Sequence, residues 1–85
     1  MKVWKPTEEE IKTTSDWGTW SKEISEFPWF YDDMETCLIL EGEAIVTDTN
    51  GNSISFKKGD MVQFEQGLEC TWKITSDIKK YYKFG

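Results

Sequence analysis

Glu35-Thr36-Cys37-Leu38-Ile39-Leu40-Glu41-Gly42 is the stretch on which the fold turns. Its apolar run is unbroken from Cys37 to Leu40, so Cys37 and Ile39 fall on one face of a strand and Leu38 and Leu40 on the other. Both faces are expected to be buried. A strand with a dry outer face needs a cover, either the N-terminal segment with Trp4, Trp17 and Trp20 or a second subunit, and this points to a homodimer.

Downstream of this stretch, Ala44–Asp48 is expected to return as Ser53–Phe56 through Asn50-Gly51, a pair suited to the positive φ angles of a type I′ hairpin. Further turn signals stand at Asp16-Trp17-Gly18, Asp32-Asp33, Lys58-Gly59-Asp60, Gln66-Gly67 and Thr75-Ser76-Asp77. Short runs of β-branched and aromatic residues separate them, the pattern of an all-β sandwich or barrel. Alternation puts Cys70, Trp72 and Ile74 inside, opposite Glu69, Thr71 and Lys73. The same test turns Ile54 and Phe56 inward, and Ile78, Tyr82 and Phe84 away from Lys79 and Lys83.

Upstream, Thr7-Glu8-Glu9-Glu10 is a capping box, and a short helix through about Thr13 should follow. Its three acids lie at the positive end of the helix dipole, which accounts for them without a site. No repeat or linker divides the chain, so residues 1–16 are read as a segment packing on a barrel formed by 17–85.

An 85-residue chain forms one domain at most, and at this size only about 60–65% of the unfolded surface is buried. Five Trp, five Phe and three Tyr supply large apolar areas for that small core. Sixteen acids against ten Lys and no Arg give a net charge of −6, which argues against tracking a nucleic-acid backbone. Cys37 and Cys70 are too few for a secreted disulfide framework, and neither a signal-peptide pattern nor a membrane-length apolar run is present. The expected setting is cytoplasmic, with no nucleic-acid or membrane partner.

Glu35, six residues, then Gly42, followed by a hairpin and by Gly59, seven residues, then Gly67, resembles the two motifs of the cupin superfamily, a small jelly-roll barrel. The stretches Glu26-Phe27-Pro28-Trp29-Phe30-Tyr31-Asp32 and Gly67-Leu68-Glu69-Cys70-Thr71-Trp72 further resemble the small (S)-ureidoglycine aminohydrolase-like cupins. The superfamily's metal is held by three His and one Glu. Here the Glu is Glu35, the two His of the first motif fall near Trp29 and Tyr31, or at Pro28 and Phe30, and the His of the second motif falls at Cys70. The Pro and Asn of that second motif are Glu65 and Ile74. With no histidine in the chain, the family's metal site cannot form, and no cofactor is expected.

On this frame Glu35 and Cys70 point into one cavity near its mouth. The expected ligand-binding set is Trp29, Tyr31, Glu35, Cys37, Phe64, Cys70 and Trp72, on an aromatic wall that also takes in Phe27, Pro28 and Phe30. Glu35 and Cys70 are weak metal candidates, because a zinc or iron site would need further ligands from Tyr31 or Cys37. A buried Glu35 would serve either as an acid or base near neutral pH or as a satisfied hydrogen-bond acceptor. Cys70 has no imidazole to activate it as a nucleophile. Three functions stay open: a non-metal cupin binding a small organic ligand, a metal-assisted aminohydrolase acting on a ureido compound, and a dimerising module with a filled barrel.

Overall fold

The computed structural model describes residues 1–85. In chain order the elements are β1 (Lys2–Trp4), α1 (Glu8–Lys12) with a 3-10 turn at Thr13–Asp16, β2 (Gly18–Lys22), β3 (Ser25–Phe30), β4 (Glu35–Asp48), β5 (Ser53–Lys57), β6 (Met61–Phe64) and β7 (Glu69–Phe84). All strands pair antiparallel in the order β1-β6-β4-β7-β2, with β3 added along β7 and β5 along β4. This is the expected all-β barrel with a short N-terminal helix.

The capping box forms as read. Thr7 Oγ1 accepts from Glu10 N–H, and Glu10 Oε1 accepts from Thr7 N–H. Glu10 Oε2 also accepts from Trp4 Nε1, tying the helix to β1. That strand, Val3 opposite Val62, joins the N-terminal segment to the sheet edge and carried no readable strand signal.

Two long strands replace four expected short ones. Gly42 sits at a φ of +85° among register shifts between Ile39 and Ala44, and the chain continues through it from Glu35 to Asp48. β7 likewise runs through Thr75-Ser76-Asp77, where the sequence suggested a turn. There the strand bends instead of reversing, because Asp77 Oδ1 accepts from Ile24 N–H and the Asp77 carbonyl packs against Gly42. The two bends let each strand cross from one half of the barrel to the other.

The β4–β5 hairpin forms, but not with a type I′ turn, since Asn50 does not take a positive φ. Asp48 explains the difference. Its carboxylate accepts from the N–H groups of both Asn50 and Asn52, and Gly51, the one residue of the loop at positive φ, donates to the Asp48 carbonyl. A longer loop closed by a left-handed glycine is the result.

The core is one cluster on the inner face: Tyr31, Cys37, Ile39, Ala44, Val46, Phe56, Val62, Phe64, Leu68, Cys70, Trp72, Ile74 and Ile78. On the opposite face Leu38 and Met61 are buried within the single chain, and Leu40, also expected to be buried there, is half-buried. Trp20 takes no part in that cover. It packs against the inner cluster, paired across β2 and β7 with Lys80.

Candidate functional site

The inner face holds an open cavity of about 220 Å³ between β2, β3, β4 and β7. Trp20, Phe27, Trp29, Tyr31, Trp72, Tyr82 and Phe84 form its walls, and Glu35 and Lys80 supply its charges. Strand periodicity explains the wall: Phe27, Trp29 and Tyr31 project to one side, whereas Phe30, expected in the wall, projects to the other and is exposed. Pro28 is likewise outside this lining.

The rings brace one another. Phe27 stacks on Trp72 with centroids 6.1 Å apart, and Trp20 meets the same indole edge-on at 6.1 Å. Tyr31 stacks on Phe64 at 4.8 Å, and its hydroxyl accepts from Trp72 Nε1 at 3.2 Å. Edge-to-face and offset-stacked pairs of this kind add about 0.5–1.5 kcal/mol each beyond the area they bury. The inner rings are held by one another, whereas Trp29 and Phe84 at the open side are about half exposed.

At the cavity's inner end Lys80 Nζ donates to both oxygens of Glu35, at 3.2 and 3.1 Å. Both residues are only 4% exposed. The ammonium also lies 4.8 Å from the ring centroids of Trp20 and Trp72, so two indole faces and a carboxylate surround it. Tyr31 and Cys37 feel the same enclosure. Burial, followed by the Glu35 charge, raises the Tyr31 hydroxyl above its ordinary range. Burial pushes the Cys37 thiol up to about 12, with Lys80 partly opposing it.

Of the expected residues, Trp29, Tyr31, Glu35 and Trp72 line this cavity. Cys37 and Phe64 are fully buried behind it. Cys70 is elsewhere, and the expected pairing of Glu35 with Cys70 in one cavity is corrected. Register is the reason: Cys70 pairs with Asp48, at the end of β4 opposite Glu35, and borders a separate depression with Thr47, Asp48, Pro28 and Trp29. Its Sγ donates to the Trp29 carbonyl at 3.6 Å, and burial raises its thiol to about 11. Both cysteines are free.

Lys80 was missing from the expected set although alternation gave the signal. If Ile78 and Tyr82 face inward, Lys80 between them must do so too. A lysine normally reads as a solvent-facing residue, and that habit hides it.

The metal implied by the cupin fold does not fit these residues. No three Asp, Glu or Cys side chains are placed so that they could hold a metal ion together. The single carboxylate of the cavity already holds a cation of its own, the Lys80 ammonium, where an added metal ion would meet like-charge repulsion.

The model of the EutQ-like cupin domain matches residues 9–82. A crystal structure of a DUF861 family protein from Thermotoga maritima is 44% identical to the chain, covers 99% of it and 98% of its own length, and superposes with a TM-score of 0.96. The EutQ protein of Clostridium difficile shares the fold at a TM-score of 0.73 and 15% identity, over 79% of this chain and 52% of that one. A DUF861 family protein from Pseudomonas syringae pv. tomato gives a TM-score of 0.72 at 28% identity, over 80% of this chain and 29% of its own. The chain thus spans about half of the first of these longer proteins and under a third of the second. No curated protein matches it. No helix is long and apolar enough to cross a membrane. The match over nearly the whole chain, on a barrel with the cupin glycines in place, means that the chain belongs to the family of EutQ-like cupin domains.

Proposed function

We propose that this cupin binds a small, planar organic molecule in the aromatic cavity and does so without a metal ion. The observation that carries the reading is the cavity: about 220 Å³ of open space walled by braced rings and ending at the buried Glu35–Lys80 pair. A dry cavity of about 150 Å³ already admits a benzene ring. Space of this kind supports binding over a barrel that only fills its own interior.

A metal-assisted aminohydrolase acting on a ureido compound is the rival suggested by the likeness to ureidoglycine aminohydrolase-like cupins. It lacks support in the side chains, since the chain has no histidine and Glu35 is engaged by Lys80. Titration of isotope-labelled protein with indole, with and without a chelator, tests the proposal. Saturable shifts of the Trp20 and Trp72 indole N–H signals, unchanged by chelator, are expected. Absence of any shift at millimolar indole, or shifts that require added metal, would overturn it.

A further inference from the structure

The ion pair says what sort of molecule the cavity takes. This step rests on the binding proposal above. Glu35 and Lys80 neutralise each other inside a wall that offers no other charge. A ligand entering as an anion or a cation would add an uncompensated charge beside an already neutral pair in a mostly apolar wall, which is unfavourable. A purely apolar ligand would leave the pair's spare hydrogen-bonding capacity unused. Lys80 takes one lone pair of each Glu35 oxygen, the Tyr31 hydroxyl and Cys37 thiol are the carboxylate's other polar neighbours, and Lys80 has a third N–H beyond the two given to the carboxylate.

The complement of an adjacent acceptor and donor is an adjacent donor and acceptor. We infer that the cavity selects neutral, planar molecules in which an N–H and a C=O stand side by side, as in lactams and aromatic amides. The N–H donates to a Glu35 oxygen, the carbonyl accepts from Lys80 Nζ, and the ring lies among the aromatic walls of the cavity. In this arrangement Lys80 supplies the fixed positive charge that a metal supplies in other cupins. The Tyr31 hydroxyl, already bonded to Trp72 Nε1, holds that indole in orientation and acts as a positioning residue.

The test uses four probes of similar size on the intact protein: 2-pyridone, benzoate, benzylammonium and toluene, each titrated by NMR at low salt. Wild type is expected to bind 2-pyridone at least tenfold more tightly than either charged probe. Glu35→Gln, which leaves a lone ammonium, should shift the preference to benzoate, and Lys80→Met, which leaves a lone carboxylate, should shift it to benzylammonium. The double variant E35Q/K80M removes both charges and keeps the inference testable should either single variant fail to fold. It should bind toluene as wild type does and lose the advantage of 2-pyridone. Equal affinities for the three polar probes in wild type, or an undiminished 2-pyridone preference in the double variant, would overturn the inference while leaving the cavity a binding site. Failure of every probe, toluene included, would instead bring down the binding proposal beneath it.

Discussion

Lys80 reaches Glu35 diagonally: it stands across the sheet from Ile39, and its side chain runs past the Cys37–Tyr82 pair to meet the carboxylate. Cys37 therefore lies between the two charged residues on the inner face of β4. Each charge is only 4% exposed and is met by the other, so the pair works as a unit. Lys80→Met should lower the unfolding free energy by about 3–5 kcal/mol because it strands a buried carboxylate. The double variant E35Q/K80M should recover most of that loss, and urea denaturation of the three proteins measures the coupling.

Gly42 and Gly51 share a φ of +85° but differ in what surrounds them. A Cβ on Gly51 meets nothing, whereas one on Gly42 would land on the Asp77 carbonyl oxygen and its neighbouring backbone. Gly51→Ala is expected to cost about 1–2 kcal/mol, the left-handed penalty alone. Gly42→Ala should cost clearly more or prevent folding, as read by the thermal midpoint. Equal losses would show that the close approach at the bend does not constrain the chain.

Alkaline pH should weaken the fold partly through Cys37. Its thiol rises from 9.0 to about 12 on folding, so the unfolded chain gives up this proton first. Stability from this group is intact below pH 9 and is lost progressively between 9 and about 12. Cys37→Ala should flatten the fall in urea midpoint over pH 8–10.5 relative to wild type. The same thiol, and Cys70 with it, should resist a disulfide reagent at neutral pH until the protein is unfolded.

Added zinc or manganese should leave the thermal midpoint unchanged, as should a chelator, because no ligand set stands ready for either ion. A rise of several degrees with stoichiometric metal would contradict this.

Much of the barrel is legible in the sequence because period-two alternation and the Glu35–Gly42 and Gly59–Gly67 spacings point the same way. Buried Cys70, Trp72, Ile74 and Phe56 follow directly from alternation. The bends at Gly42 and Ser76–Asp77 did not, since polar residues at a strand corner look the same as those of a reversing turn. The site was half readable. Its rings came from one aromatic run, but the choice of Glu35's partner depended on a β4–β7 register that places Lys80 near it and Cys70 at the far end. No local pattern fixes a register between strands so distant in sequence.

The pairing of β4 with β7 joins residues 35–48 to 70–84 at twelve positions, and every other strand except β1 is laid along one of these two. Little of the barrel can assemble before its two longest segments find each other across the intervening chain. Refolding should accordingly be slow for a protein of this length, in the range of milliseconds to seconds. Substitutions along that seam should retard refolding, whereas changes in β1 should mainly hasten unfolding.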